Sequence, residues 1–273
     1  DVKELYPEVD DGNYQGWREK IELIKLKVIK DMISNHILDD DASVISFVKK
    51  CLDLRDVGEL IAQEVYKDIP NINFIISIFH LQNKGNILAG YVWRLYEVKD
   101  LSVLKAIINN YQIKSEDVDL TVRILYGSVV NLELIQFVDT LDDFVQECFW
   151  SRGSFNAIFK EKQLAEKVLE KCTHYKNYEN AIQIAGGDIA FPLPVYLNLL
   201  NDISNNQQHF KPNDMTSYYL EKIFVHIYEL VDEHDEGSVR KIKQLEFQYM
   251  NVFPEATELK RKPKFLYKDL RFN

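Results

Sequence analysis

The chain has 273 residues, of which 46 % are hydrophobic and 28 % charged, and it contains only ten glycines and seven prolines. Glycine and proline together make up about 6 % of the chain, roughly half the usual share, which excludes collagen-like and low-complexity chains and disfavours a β sandwich or barrel. With 33 Lys and Arg against 43 Asp and Glu, the formal net charge of −10 argues against non-specific binding of nucleic acid or of a membrane by the chain as a whole.

Apolar residues recur at the i, i+3, i+4 and i+7 spacing of amphipathic helices along most of the chain. Alternating apolar and polar residues are never sustained on both sides of an Asn-Gly or Asp-Gly turn, so we predict no β-strands. The helical stripes are, in chain order, Trp17, Ile21, Ile24, Val28 and Met32; Leu101, Leu104, Ile108 and Tyr111; Val118, Val122, Leu125 and Tyr126; Leu164, Val168, Leu169 and Cys172; and Leu220, Ile223, Ile227, Leu230 and Val231.

Polar residues in front of several stripes predict where helices begin. A Ser, Thr, Asp or Asn followed three residues later by an acidic residue is typical of a capping box, in which side chains bind the unpaired amides of the first turn. A glycine after a stripe is typical of a helix end. The predicted boundaries are capping boxes at Asp56–Glu59 and Thr140–Asp143, a start at Asn213–Asp214, an end near Asp235, and a stop with a new start at Gly237–Ser238.

These patterns predict an all-α fold of about 13–15 helices, mostly about 10–15 residues long. A helix pair with its turns would occupy roughly 30–35 residues, as in TPR and HEAT repeats, although their consensus residues are absent. We therefore predict an α-solenoid or irregular helical-repeat array, with a compact helical bundle as the alternative. We expect an N-terminal extension over 1–16, the array over 17–187, and over 188–273 a C-terminal helical subdomain with a basic tail, which could continue the array.

The sequence carries none of the enzyme motifs that we sought. A phosphate-binding Gly-x-x-x-x-Gly-Lys-Ser/Thr loop, a Gly-x-Gly-x-x-Gly turn, a Gly-x-Ser-x-Gly elbow, His-Glu-x-x-His and Glu-x-x-His are all absent. The nearest approach to a metal site is His226, Glu229 and Glu233 on one helix face, for which a solvated acidic helix end is the favoured interpretation. We predict no catalytic, cofactor-binding or metal-binding residues and no cofactor.

The cysteines favour an intracellular protein with reduced thiols. Cys51, Cys148 and Cys172 are odd in number and lack Cys-x-x-Cys spacing, so each is best interpreted as a small buried apolar residue. Cys172 and His174 lie two residues apart and would not face each other on a helix, which disfavours a thiol–imidazole dyad. No apolar run is long enough to span a membrane, and we predict a cytoplasmic location.

The C-terminal segment differs from the rest of the chain in its charge. From Arg240 to Asn273 there are nine Lys and Arg against four Asp and Glu, a balance of +5. Cations interleaved with Phe265 and Tyr267 are typical of nucleic-acid grooves, but also of a solvated turn before an amphipathic helix, or of a segment that docks on the acidic remainder of the chain. The candidate partner-binding residues are Lys260, Arg261, Lys262, Lys264, Lys268 and Arg271.

Several segments resemble helices of large multidomain bacterial proteins. Gln244–Tyr249 (QLEFQY), followed by Lys262–Leu270 (KPKFLYKDL), is similar to their "QLEWxYLPLL" and "PKxLxxxLxxDPxFF" elements. Phe149–Arg152 (FWSR) resembles the "YWKR" that ends an upstream helix, and Gly90–Glu97 (GYVWRLYE) resembles another helix of the same array. Met250–Phe253 departs from the expected Leu-Pro-Leu-Leu, and the sequence stops before a "PxFF" element.

These bacterial proteins are associated with anti-phage defence and related NTPase or effector systems, and their C-terminal regions are degenerate TPR- or HEAT-like helical repeats. The resemblance implies a non-catalytic protein-interaction or sensor module, a piece of a larger protein, whose partner is another protein or another domain of its parent chain. It implies no catalytic residue. The alternative is a helical domain that contacts nucleic acid through the basic C-terminal segment.

Overall fold

The structure, a computed structural model, describes residues 40–110, 117–155, 159–210, 215–231 and 235–252, together with isolated positions between 20 and 38. Across these residues it contains twelve α-helices, one π-helical and one 3₁₀ segment, and no strand. The predicted all-α class is therefore confirmed for this part of the chain.

The chain divides into two compact units, Asp1–Gln146 and Glu147–Asn273. The subdomain boundary predicted between residues 187 and 188 lies within the second unit. The helices are, in chain order, α1 (Asp41–Lys50), α2 (Arg55–Leu60), continued by a π-helix (Ile61–Val65), α3 (Ile72–Phe79), α4 (Gly85–Asn110), α5 (Val118–Leu125), α6 (Leu132–Val138), α7 (Asp143–Arg152), α8 (Lys162–His174), α9 (Tyr178–Ala185), α10 (Leu193–Asn205), α11 (Thr216–Leu230) and α12 (Glu236–Val252).

Several helices are shorter than predicted. Five of the twelve within the described ranges have only six to eight residues, so packing rather than intrinsic propensity must hold them. In contrast, the range given for α4 joins two helical segments on either side of Asp100, whose backbone is not helical, with φ of 61° and ψ of −162°. The Asp100 carboxylate accepts a hydrogen bond from the Ser102 amide at 2.7 Å and so caps the second half of α4.

Four helices begin at side-chain caps that the sequence analysis did not single out. Asp40 forms a capping box with Ser43 at the start of α1 and accepts a hydrogen bond from the Ser43 amide at 2.7 Å. Asn71, Asn131 and Asn177 each accept a hydrogen bond from the amide three residues further on. These short polar side chains satisfy amides that have no partner within the helix.

The two predicted capping boxes are wrong. Asp56 lies inside the first turn of α2, which begins one residue earlier without a side-chain cap. The Thr140 hydroxyl donates to the Phe137 carbonyl behind it, and Asp142 accepts from the Phe144 amide at 2.9 Å instead. Both corrections have one reason, because Asp and Thr side chains bind whichever nearby backbone group the local turn presents.

The helix stop predicted at Gly237 is also wrong, whereas the new start predicted at Ser238 lies within two residues of the observed start of α12 at Glu236. The helix α11 ends at Leu230 rather than near Asp235, and Gly237 lies in the first turn of α12. The Asp235 carboxylate accepts hydrogen bonds from the Ser238 hydroxyl and from the Ser238 and Gly237 amides, and these bonds lower its pKa. Asp235 therefore begins α12 instead of ending α11. The start predicted at Asn213–Asp214 lies outside the described residues.

Most of the predicted stripe residues lie in the core. Tyr126 and Leu230 are exposed exceptions at the ends of α5 and α11, and Ile24, Val28 and Leu164 are intermediate. Trp17, Met32 and Tyr111 lie outside the described residues. The residues of the stripes that are buried are Ile21, Leu101, Leu104, Ile108, Val118, Val122, Leu125, Val168, Leu169, Cys172, Leu220, Ile223, Ile227 and Val231.

In the first unit, the backbones of α2 and α4 touch at two glycines. A Cβ at Gly58 would lie 1.9 Å from the Ile87 carbonyl oxygen, and a Cβ at Gly90 would lie 1.8 Å from that of Arg55. Because real Cβ atoms do not approach so closely, no other residue fits at either position without a shift of the helix. Val57 of α2, Ile61 of the π-helix and Val92 of α4 are all buried.

In the second unit, two buried asparagines join the end of α7 to α9. The Asn177 side-chain amide donates to the carbonyls of Trp150 and Gly153 at 2.7 and 2.9 Å. The Asn180 amide donates to Gly153 and to Asn177 Oδ1, and Asn180 Oδ1 accepts from the Phe155 amide at 2.7 Å. Each bond is sheltered from water, so loss of one partner leaves a buried group unsatisfied.

We expect Gly58→Ala or Gly90→Ala to lower the free energy of unfolding by about 3 kcal/mol or more, because a backbone contact cannot be relieved by side-chain rotation. Chemical denaturation followed by circular dichroism measures the loss. Gly85→Ala is the matched control, since its Cβ would meet only the flexible Arg123 side chain at 3.3 Å. Equally small effects of all three substitutions would contradict the backbone contact.

We expect Asn180→Ala to destabilise the protein by about 2–3 kcal/mol, because the buried Phe155 amide loses its acceptor. The shift in the denaturation midpoint of the full chain measures this loss. Asn198→Ala, at an exposed position of α10, should change stability by less than about 0.5 kcal/mol. A midpoint that is the same in both variants would show that the asparagine cluster contributes nothing.

Candidate protein-binding surfaces

A strained loop, residues 66–71, joins the π-helix to α3 in the first unit. Lys67 and Asp68 both adopt left-handed backbone conformations, with φ of 54° and 58°. Such a conformation costs of order 1–3 kcal/mol for each non-glycine residue and persists only when its surroundings impose it. We call this segment the 66–71 loop.

Tyr91 of α4 holds the loop by its hydroxyl. That hydroxyl accepts a hydrogen bond from the Asn71 amide at 2.9 Å and donates one to the Ile69 carbonyl at 3.2 Å. The Tyr91 ring is fully buried, 4.8 Å from the Phe74 ring and 5.9 Å from the Tyr66 ring between centroids. Burial raises the pKa of Tyr91, so the phenol keeps the proton that the Ile69 carbonyl needs.

A second attachment comes from α1. Asp41 Oδ1 accepts hydrogen bonds from the Tyr66 hydroxyl and from the Asn71 side-chain amide, both at 2.9 Å. Burial and the bond to Asp41 raise the pKa of Tyr66, so this hydroxyl also remains a donor. Asn71 Oδ1 accepts from the Phe74 amide at 2.9 Å, so the same residue fixes the loop and starts α3.

A third attachment is an ion pair that neutralises the carboxylate of Asp68 in the loop. Arg94 of α4 donates two hydrogen bonds to Asp68, from Nε to Oδ1 at 3.0 Å and from Nη2 to Oδ2 at 3.2 Å. This paired geometry is the strong, directional form of an Arg–carboxylate contact, and it raises the pKa of Arg94. Both side chains are partly buried, so the pair helps to hold the left-handed backbone at Asp68.

These attachments present an apolar side chain to solvent. Ile69 is 61 % exposed, beside a shallow hollow of about 610 Å³ that Pro70, Ile72 and Val65 also line. The exposed Lys67 brings an ammonium group to the same hollow. The pKa values of Tyr66, Tyr91 and Arg94 around the loop are all raised above their ordinary values. These groups keep their protons at neutral pH, so they suit binding rather than proton transfer.

The second unit contains a separate groove of about 440 Å³, which we call the α11 groove. Its wall is apolar and aromatic, with Met215 and Tyr218 exposed by 47 % and 41 % at its rim. The apolar and aromatic residues that line the groove are Phe155, Phe159, Ile184, Ile189, Met215, Tyr218 and Tyr219.

One ion pair lies at the rim of the α11 groove. Lys222 Nζ lies 5.0 Å from the centre of the Tyr218 ring and 3.8 Å from Asp188 Oδ1. The interaction with the Tyr218 hydroxyl raises the pKa of Lys222, and the nearby Asp188 carboxylate raises it further. The ammonium group is therefore a permanent cation. The Asp188 side chain is 88 % exposed and is therefore open to a second cation.

The turn that carries Asp188 is fixed against α11. A Cβ at Gly186 would lie 2.5 Å from the Tyr219 carbonyl oxygen, so the backbones of the turn and the helix touch. His226 Nε2 lies 3.2 Å from the Gly187 carbonyl, and its ring stacks on that of Tyr196 at 5.9 Å. The groove therefore has a rigid wall.

The metal candidate of the sequence analysis has a structural role in the described residues. His226 Nδ1 lies 3.7 Å from Glu229, while its other nitrogen meets the Gly187 carbonyl as above. Glu233 lies outside the described residues. Within the ranges that the structure covers, no group of three or more His, Cys, Asp or Glu could hold a metal ion.

The thiols are sheltered. Cys172 is fully buried, which raises its pKa, and the His174 ring packs edge-on against Tyr175 at 4.6 Å. Cys148 is buried, while burial of the half-buried Cys51 raises its pKa to about 11. The thiols of Cys51 and Cys172 are therefore protonated at neutral pH.

The six predicted partner-binding residues, Lys260 to Arg271, lie outside the described residues, so the prediction for them stays a prediction. Neither the 66–71 loop nor the α11 groove was predicted from the sequence. Pro70 and Asn71 are a turn signal, but nothing local indicates left-handed backbone at Lys67 and Asp68.

We expect Tyr91→Phe to release the 66–71 loop, because the Asn71 amide and the Ile69 carbonyl both lose their partner. The Asn71 amide should exchange its hydrogen at least about tenfold faster, which corresponds to ~1.4 kcal/mol of lost protection. Residue-resolved hydrogen exchange measures it. Tyr219→Phe removes a hydroxyl from the second unit as a control, and unchanged Asn71 exchange in Tyr91→Phe would contradict the hydroxyl's role.

Comparisons of the chain with protein-family models, curated proteins and solved structures found no match. Among the described residues, no helix combines the length and apolar character needed to cross a membrane. The function proposed for the chain therefore rests on its own sequence and geometry.

Proposed function

We propose that the chain is a non-catalytic protein-interaction or sensor module of a larger bacterial protein, of the kind that acts in anti-phage defence. In this proposal its helices form an irregular repeat array, and the 66–71 loop is the contact with a partner protein. The sequence resemblance supports the bacterial context, and the loop supports the contact.

The observation that carries the proposal is the exposed Ile69 on a strained and immobilised backbone. A single exposed apolar residue is ordinary, but here the chain maintains two left-handed residues to present it. Attachments from Asp41, Tyr91 and Arg94 order the loop before any partner arrives. A preordered loop loses less conformational entropy on binding, so more of its contact energy appears as affinity.

The chemistry of the loop indicates the kind of surface that it fits. Ile69, Pro70 and Ile72 offer an apolar knob, and Lys67 adds a cation beside it. Asp68 adds little opposing charge because Arg94 neutralises it. The complementary partner has an apolar socket with a carboxylate at its edge, the arrangement in which a few anchor residues supply most of the affinity.

The alternative function, contact with nucleic acid through the basic C-terminal segment, is supported by the +5 charge of residues 240–273. Lysines that meet phosphates release counterions, so such binding would weaken steeply with salt. This alternative does not involve the 66–71 loop.

The test of the proposal is selection of random peptides displayed on phage against the full chain. We expect selected peptides to combine an apolar residue with an acidic one, and to bind Ile69→Asp at least about tenfold more weakly. Lys67→Glu should weaken the same peptides through the lost charge contact. Val98→Asp, at an exposed apolar position of α4 in the same unit, is the matched control.

Two outcomes would contradict the proposal. One is a set of peptides whose affinity is the same for Ile69→Asp and the unmodified chain. The other is equal loss of affinity in Ile69→Asp and Val98→Asp, which would indicate general disruption of the surface. Circular dichroism of each variant shows whether the helices are retained.

A further inference from the structure

The α11 groove has no part in the function proposed above. It lies entirely in the second unit, and its rim residues Met215 and Tyr218 keep nearly half of their surface in solvent. Methionine and aromatic side chains around a concavity are typical of sites that accept apolar side chains of varied shape.

The charges at the rim narrow the choice of occupant. Asp188 is almost fully exposed, and its ion pair with Lys222 is long, 3.8 Å. A cation supplied by an occupant can therefore approach Asp188 from the solvent side without displacing a buried partner. The groove fits a segment in which large apolar or aromatic residues alternate with Lys or Arg.

The chain carries such a segment beyond its last described helix. Residues 253–273 follow Val252, and they contain Phe265, Leu266 and Tyr267 between Lys264 and Lys268. We propose that the α11 groove binds this basic and aromatic C-terminal segment, residues 260–271, of the same chain.

The distance along the chain permits this contact. α12 ends at Val252, and Tyr249 in its last turn packs against Phe224 of α11 with ring centroids 6.1 Å apart. Phe224 lies two residues beyond Lys222, or about 3 Å along the helix axis. The twelve residues between Val252 and Phe265 can span up to about 40 Å, enough to pass around a helix about 10–12 Å wide.

The connection also favours occupancy. A short linker keeps the two segments that it joins at an effective concentration of the order of 1 mM. A contact with an intrinsic dissociation constant below about 1 mM would therefore be formed in more than half of the molecules. A modest apolar contact with one ion pair at the rim is sufficient for this.

The experiment places a photo-crosslinker in the full chain, as Tyr267→p-benzoylphenylalanine, and maps the products by mass spectrometry. We expect monomeric chains to form a crosslink from position 267 to the peptide that contains Met215 and Tyr218. The same crosslinker at Phe247, an exposed position of α12, is the positional control and should not reach that peptide.

Charge variants test the contact independently of the apolar residues. Asp188→Lys should lower the crosslink yield at least about fivefold. Glu170→Lys makes the same charge change at an exposed position of α8 and should leave the yield unchanged. Release of the basic segment should also make Asp188→Lys elute from heparin at higher salt than Glu170→Lys.

Three results would overturn the proposal. They are crosslinks that map elsewhere in the chain, crosslinks only between two copies, and a yield that Asp188→Lys does not change. Equal heparin retention of the two charge variants would also count against the proposal, because the basic segment would then already be free to bind nucleic acid.

Discussion

Both units depend on a close contact between two stretches of backbone at a glycine, where no side chain keeps them apart. In the first unit, Gly58 and Gly90 allow α2 and α4 to lie closer than any Cβ would permit. In the second unit, Gly186 meets the Tyr219 carbonyl in the same way. A helix placed this closely has little freedom to rotate or slide, because packed backbones have only a few compatible arrangements. The scarce glycines of this chain therefore determine which surfaces the helices present.

The glycine contacts connect the fold to its binding surfaces. Gly90 is followed directly by Tyr91 and one turn later by Arg94, so the contact that positions α4 also positions two attachments of the 66–71 loop. Gly186 fixes against α11 the turn that bears Gly187 and Asp188, and these two residues line the α11 groove. The two surfaces differ in kind. The loop is a rigid knob held by hydrogen bonds, and the groove is an open concavity with exposed charged side chains at its rim.

Local patterns in the sequence were enough to predict the all-α class and most of the buried stripes, because helical periodicity is a property of neighbouring residues. They failed at Asp56 and Thr140, whose side chains could bind several backbone groups. They also failed at Gly237, which lies in the first turn of α12 rather than after the last turn of α11. The glycine contacts and the left-handed Lys67 could not be predicted. Each depends on residues far away in the chain, such as Ile87 for Gly58 and Tyr91 for the loop.

Hydrogen exchange of the full chain at residue resolution tests the central claim most directly. If the glycine contact holds the first unit together, the amides of α2 and of α4 between Ile87 and Arg94 should be the slowest to exchange there, and they should open together. Faster exchange in this part of α4 than in the peripheral helix α1 would contradict the account, because the contact would then not be what stabilises the unit.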